Sequence, residues 1–557
     1  MKHVEKLKSI DNVFFSKNST LIAFIILIAL NIIIRLPMTY HEVGVDTFYI
    51  HALASSISTF GRAEWLIHPS SFFGVYPYSY PSTQPYLLSG ISQALGISIE
   101  NSILLFSLFL GQLGLFSAYL LAKEFFEEDV YSLIAAFLFS ISPNLIRFTY
   151  WQASTRGLFL AMLPLVIWLF IRFGDKTKFK YLVLLSLALV FLFATHRTSW
   201  FLVIILFAFV ASYILTSISS MLNYLAPMNA NIYRMFTVLF LSSALFLLQF
   251  TKMALFDLDD YSTGLYGSGT DFLTLSTNLF VDYFGKIGIM LLLSVLGIIA
   301  LSYKRIVIFK ENFLILCFIL LLSLMGLKNY SPLVIAPFIL ILGAFGIHSI
   351  TNSSLNNFKR GPVLAGIFIF LCITSSMLFT LFMIDHWGVN KESLSDEMLV
   401  STRFIGERTS GTVVANNGFL ANVITSYSGI PALPLGGIYA IPSPPNQIAY
   451  GFVTLDEIST RPLELSEISP STDTFYTLTR APNAKSEWAD IMVNSYFDAS
   501  AKSLLSKYNS NIIIEHHHNK MYLYWSWKRS AMLESLHESG NKIYASGNFN
   551  AFSVPVS

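Results

Sequence analysis

The chain has 557 residues, is 54% hydrophobic and 12% charged, and carries 49 Phe and a formal net charge of +2. A soluble domain is about 25% charged, so this deficit assigns most of the surface to lipid. The near-neutral charge, with no basic stripe interleaved with aromatics, argues against a nucleic-acid partner. The two cysteines, Cys317 and Cys372, lie in apolar runs and read as small buried residues that say nothing about redox compartment.

A bilayer core of about 30 Å needs roughly 20 apolar residues per helix. Candidate spans begin near Leu21, Ser102, Tyr131, Gly157, Tyr181, Ser199, Met235, Ile287, Asn312, Pro332 and Pro362, which predicts a polytopic α-helical membrane protein of about eleven helices. The first segment resembles a signal h-region preceded by lysines. It has no small-x-small cleavage site and meets Arg35 directly, so it reads as an uncleaved anchor. A polar, aromatic-rich outer loop, 38–84, follows and contains His41, Glu42, Asp46 and Tyr80. Thr195-His196-Arg197-Thr198 interrupts an apolar stretch and predicts two helices meeting there. A second long loop, 251–286, holds Asp257, Asp259 and Asp260 and suits either a lid or a plain solvated loop.

Lys and Arg collect in alternate loops. Lys2, Lys6, Lys8 and Lys17, Lys123, Arg172 to Lys180, Arg234, Lys304 to Lys310, and Lys359 with Arg360 define the cytoplasmic side. An odd number of spans then divides the chain into a transmembrane domain, 1–385, and an extracytoplasmic domain, 386–557. The second domain reads as mixed α/β. Gly411 to Ala415 and Asn511 to Glu515 are strand-like, as is Met521 to Trp525. Lys542 to Ser546 and Phe549 to Val556 form a hairpin across Gly547-Asn548. Helical segments are expected near Leu394–Arg408 and Ala499–Tyr508. Glu515-His516-His517-His518 reads as an exposed hairpin end.

This orientation gathers Asp46, His41, Glu42, Arg147, Arg156, His196, Arg197 and Lys328 at outer helix ends. Snorkelling and capping explain lone cations at such ends. Their concentration on the side that holds Asp46 favours a shared cavity.

The order of parts resembles the GT-C superfamily of membrane glycosyltransferases, and within it the catalytic subunit of oligosaccharyltransferase and lipid-phosphate-sugar transferases. The resemblance rests on His41-Glu42-Val-Gly-Val-Asp46-Thr-Phe-Tyr49 after the first helix, Phe60 to Trp65, Tyr76-Pro77-Tyr-Ser-Tyr80-Pro81, Ser142 to Ala161, and Pro337 to Gly346. It implies transfer of a sugar or glycan from a polyprenyl-phosphate-type donor to a glycan, lipid or protein acceptor at the outer membrane face, with inversion. It also implies a prokaryotic plasma-membrane protein. Asp46 would be the general base, with N-capping of the next helix as its alternative. Arg156, His196, Arg197 and Lys328 would bind the donor phosphate, and His41, Glu42, Tyr80 and Asp260 are candidates for the acceptor or loop. Where that family carries a metal-binding acidic pair, this chain has Gln152-Ala-Ser-Thr-Arg156, and it lacks a Trp-Trp-Asp motif. The departure argues against sequon-directed protein glycosylation and against a resident metal or other cofactor. A lipid-linked glycan flippase and a non-catalytic scaffold remain as other classes. The flippase would want mid-span polar residues and repeat symmetry.

A reporter fused after Ser557 tests the orientation: an extracytoplasmic signal is expected, and a cytoplasmic one overturns both the topology and the outer-face chemistry.

Overall fold

The computed structural model describes residues 17–60, 83–176, 178–225, 287–288, 290–302, 309–323, 331–352, a broken run between 366 and 381, 394–409, 411–430, 432–433, 490–507, 509–516 and 530–554. The helices of the first part are α1 (Lys17–Ile34), α2 (Val45–Phe60), α3 (Thr83–Leu95), α4 (Ile99–Ala122), α5 (Asp129–Ser140), α6 (Pro143–Ile146), α7 (Thr155–Lys176), α8 (Phe179–Thr195), α9 (Phe201–Leu225), α10 (Met290–Ser302), α11 (Phe309–Ser323) and α12 (Ser331–Asn352).

Among the described residues, three stretches are long and apolar enough to cross a bilayer: Ile99–Ala122, Thr155–Asp175 and Pro332–Thr351. Five shorter apolar helices join them. Of the expected spans, the one starting near Met235 lies outside the described residues and the one starting near Pro362 is described only in part. The outward faces of α1 and α8 expose Leu21, Ile22, Ile25, Ile33, Leu184 and Leu187, the pattern of a bundle whose solvent is lipid. The break predicted near residue 196 is present. α8 stops at Thr195, a single 3₁₀ turn spans Arg197–Trp200, and α9 begins at Phe201.

A buried arginine ties the start of the bundle together. Arg35 is fully buried; it donates to the Thr149 hydroxyl at 3.0 Å and the Ser140 carbonyl at 2.6 Å, and also reaches the Asn31 side chain. A buried guanidinium is costly unless its donors are satisfied, and here oxygens from three segments satisfy them.

The later residues build α13 (Asp396–Arg408), β1 (Thr412–Ala415), α14 (Gly418–Ser428), β2 (Ala432–Leu433), α15 (Ala499–Lys507), β3 (Ser510–His516), α16 (Ala531–Ser539), β4 (Lys542–Ser546) and β5 (Phe549–Ser553). The five-stranded sheet runs β2-β1-β3-β5-β4. β1 is parallel to β2 and β3, and the terminal hairpin adds β5 and β4 antiparallel. Ser395, Asn417 and Ser530 cap α13, α14 and α16 through their side chains. The segment expected as an exposed hairpin end is corrected in part. Glu515 and His516 lie in the central strand β3 and are 1% and 5% exposed. The Glu515 carboxylate is satisfied locally: it accepts from Asn550 at 2.7 Å and pairs with His537 at 2.7 Å. His517, His518 and Met521 to Trp525 lie outside the described residues.

α2 belongs to both halves. Phe48 is fully buried in the core formed by α13, α14 and the sheet, with its ring edge-on to Phe419 at 5.2 Å. Ile50, Leu53 and Ile57, on the same helix, join the transmembrane core.

Elsewhere the bundle depends on backbone contact. A Cβ added to Gly297 on α10 would lie 1.8 Å from the Leu342 carbonyl oxygen on α12, and one on Gly346 would lie 2.4 Å from the Leu293 carbonyl oxygen. Small residues permit this approach. Gly297→Ala should therefore cost about 1–3 kcal/mol, read as a lower thermal midpoint in detergent. Gly366→Ala, where a Cβ meets nothing within 4 Å, should change little.

Candidate active site

The site begins with how the loop before α2 is fastened. The Val43 amide donates to the Trp151 carbonyl at 3.2 Å. The Thr47 hydroxyl donates to the Val43 carbonyl at 2.5 Å and accepts from the Ala153 amide at 3.1 Å. Two loops more than a hundred residues apart are thus joined by one main-chain bond and by the Thr47 hydroxyl. Gly44 has φ +97°, and a Cβ there would sit 2.4 Å from Gln152 Nε2, so a side chain is excluded by both conformation and space. On the other loop Trp151 adopts φ 41°, a strained conformation for a bulky residue. It is held there by the Val43 bond and by its indole N–H, which donates to the Glu100 carbonyl at 3.3 Å.

This clasp brings together the first turns of α2 and α7. Asp46 lies inside the first turn of α2, not at the N-cap, because the helix already includes Val45. Its Oδ2 accepts from Arg156 Nη1 at 2.9 Å. The pair is partly open, with side-chain exposures of 46% for Asp46 and 27% for Arg156. The Arg156 guanidinium carbon also lies 5.4 Å from the centre of the Phe148 ring, and Arg147 approaches the same ring at 5.5 Å.

Behind Asp46 a second polar group links the two halves of the chain. Glu42 is fully buried; its Oε1 lies 2.6 Å from His51 Nδ1 and accepts from the Tyr427 hydroxyl at 3.3 Å. Its Oε2 has no hydrogen-bond partner among the described residues. Burial pushes the Tyr427 phenol well above its ordinary range, and the charges of Glu42 and Glu100 push it further. It therefore stays a protonated donor. His41 reaches Glu100 through Nδ1 at 2.9 Å and Asp396 of α13 through Nε2 at 3.0 Å.

His196 is buried and terminates α8. Its Nδ1 accepts from the Thr198 amide at 3.0 Å, capping the 3₁₀ turn, which leaves Nε2 as its donor. Arg197 opens that turn. Lys328, Tyr80 and Asp260 lie outside the described residues. Among the described residues, no group of three or more His, Cys, Asp or Glu side chains is arranged to hold a metal ion. Sequence reasoning passed over His51, Glu100, Asp396 and Tyr427. The polar loop offered a signal for His51, five residues past Asp46, but nothing marked Tyr427.

The family model of dolichyl-phosphate-mannose-protein mannosyltransferases matches residues 80–252, a span that includes Arg156 and His196. No curated protein sequence matches the chain. A cryo-EM structure of a mutant of the arabinofuranosyltransferase AftD from Mycobacteria overlays 97% of this chain at TM-score 0.51 and 12% identity, covering 42% of that chain. This chain therefore spans less than half the length of AftD. The apo crystal structure of ArnT from Cupriavidus metallidurans overlays 96% of this chain and 98% of its own at TM-score 0.48 and 10% identity. The chain resembles the GT-C superfamily of membrane glycosyltransferases, and the overlay with AftD extends the likeness to the fold.

Thr47→Val keeps the shape of the side chain but deprives the buried Ala153 amide of its acceptor. A loss of about 1–3 kcal/mol is expected, seen as a lower thermal midpoint, and Thr47→Ser should restore it. An unchanged midpoint for the valine variant would show that the clasp does not hold the loops.

Proposed function

We propose that this chain is an inverting membrane glycosyltransferase. It moves a sugar or glycan from a polyprenyl-phosphate-type lipid to a glycan, lipid or protein acceptor at the outer face of a prokaryotic plasma membrane. The observation that carries this reading is the half-exposed Asp46 carboxylate fixed 2.9 Å from Arg156, each in the first turn of its helix. It joins a base and a cation, the two groups that transfer from a phosphate-linked sugar requires. The matching family, of mannosyltransferases, and AftD, an arabinofuranosyltransferase, agree with that chemistry.

In this mechanism Asp46 takes the proton of the acceptor hydroxyl as its oxygen attacks the anomeric carbon. The bond between that carbon and the phosphate oxygen breaks on the opposite side. The charge that develops on the leaving phosphate is met by Arg156, with Arg197, Lys328 and Nε2–H of His196 as further donors. Arginine suits this task because its planar fork matches phosphate oxygens. Glu42, His51 and Tyr427 support the loop from behind, and His41 ties it to α13. The long segments around Tyr80 and Asp260 are assigned to acceptor or lid. The reaction as drawn needs no resident metal. The amino terminus would lie in the cytoplasm, with the sheet domain outside.

Asp46→Asn preserves size and removes the basic carboxylate. Transfer measured with purified protein should fall by about 10²–10⁴-fold while the thermal midpoint stays near that of the wild type. Transfer at the wild-type rate would remove Asp46 from the chemistry.

A further inference from the structure

Arg156 has two claimants. In the structure its Nη1 is given to Asp46, yet the proposed reaction asks it to hold the donor phosphate. Resting on that reading of Arg156, we propose that the Asp46 carboxylate and the donor phosphate compete for this one guanidinium, so that donor binding itself uncovers the base.

Three features of the geometry support an exchange over a permanent pair. First, the ion pair is partly open to its surroundings on both sides. Pairs of that kind are weakly held because water solvates the separated charges well. A phosphate that accepts two parallel N–H bonds from the fork is the stronger ligand. Second, the guanidinium lies over the Phe148 ring at 5.4 Å. It can pivot across the ring face from carboxylate to phosphate and keep the cation–π contact throughout. Third, Asp46 cannot follow it. The carboxylate stands in the first turn of α2, anchored by the Thr47 bonds to Val43 and Ala153 and by Phe48 in the neighbouring core. Arginine moves and aspartate stays.

The consequence is an order of events. Without donor, Asp46 Oδ2 is occupied by the Arg156 N–H. With the phosphate bound, the cation is withdrawn and an anion arrives nearby. The carboxylate oxygen is thereby left open at the moment an acceptor hydroxyl must be deprotonated. The recognised group is the phosphate, whether on a lipid or free.

A double-mutant cycle on phosphate binding tests the competition. Decyl phosphate serves as the probe, with purified protein in detergent. Asp46→Asn should tighten its binding roughly three- to tenfold, the range set by releasing a partly exposed ion pair. In an Arg156→Gln background the same substitution should have no effect, because nothing remains to compete for. If the tightening persists without Arg156, it reflects plain repulsion between carboxylate and phosphate, and the proposal fails. It also fails if Asp46→Asn leaves binding unchanged in the Arg156 protein. Should the glutamine variants bind too weakly to measure, modification of Arg156 by phenylglyoxal decides. The residue should react faster in Asp46→Asn than in the wild type, and decyl phosphate should protect it at a lower concentration; equal behaviour in both proteins overturns the competition. Inorganic phosphate should show the same coupling at weaker overall affinity. Coupling seen with inorganic phosphate alone would mark a free-anion site and overturn the donor-triggered order. Loss of transfer in Asp46→Asn without any change in binding would leave Asp46 as the base and remove only the competition.

Discussion

The clasp between the loop entering α2 and the loop entering α7 is the constraint on which the rest of the site depends. It is made from one main-chain bond, Val43 to Trp151, and from the short Thr47 hydroxyl, which is bonded to the Val43 carbonyl and the Ala153 amide. Backbone bonds fix position more tightly than long side chains can, because few torsions separate them from the helices they serve. Two first turns are set face to face, and each contributes one charged side chain. The arrangement is strained where it is closest, at Gly44 and Trp151. That strain persists because indole, amide and hydroxyl bonds all oppose its release.

Charge is handled differently at the two ends of the bundle. At one end Arg35 is buried with neutral oxygens and carries no carboxylate partner in the hydrogen bonds it makes. At the other, Glu124 is nearly buried between cations: Arg172 Nε at 2.5 Å and Lys310 Nζ at 3.3 Å, with the Trp168 indole at 2.9 Å. Lys310 also reaches Asp175 at 3.1 Å. These groups join α4, α7 and α11 at the end where the sequence collects its lysines and arginines. Arg35 and the Glu124 carboxylate are themselves closed off, although Arg172 and Lys310 stay half-buried. The Asp46–Arg156 pair differs because it is left partly open, and a partly open pair can exchange partners.

Much of the architecture was legible because apolar runs in a membrane chain are long and polar interruptions are conspicuous. His196 broke a hydrophobic stretch and marks a real helix break. The runs at 412–415, 510–516, 542–546 and 549–553 are strands because branched and aromatic residues alternate with turn residues there. Asp46 and Arg156 stood out as charges at helix ends. Their pairing across 110 positions could not be read, since no local pattern encodes a contact between loops. Tyr427 was invisible for the same reason: only docking of α14 on α2 turns an ordinary tyrosine into a buried donor to Glu42. Glu515 and His516 were misread because a histidine-rich run looks solvent-exposed. The partners of Glu515, His537 and Asn550, come from elements that the linear sequence does not join to it.

The position of α2 explains why a single helix can carry both the chemistry and the joint between domains. Phe48 is committed to the sheet-bearing core and Ile50, Leu53 and Ile57 to the transmembrane core, so neither half can shift without disturbing α2. Asp46 lies at the start of this helix, two residues before Phe48. A displacement of the sheet domain would therefore reach the carboxylate through a rigid turn, while Arg156 remains attached to α7. The His41 contacts to Glu100 and Asp396 span the same joint. The distance between base and cation is thus coupled to the seating of one domain on the other, and the buried Glu42, His51 and Tyr427 group is where that seating is enforced. Burying a carboxylate there is costly unless its partners arrive in register, so this junction tolerates one alignment of the two domains well and others poorly.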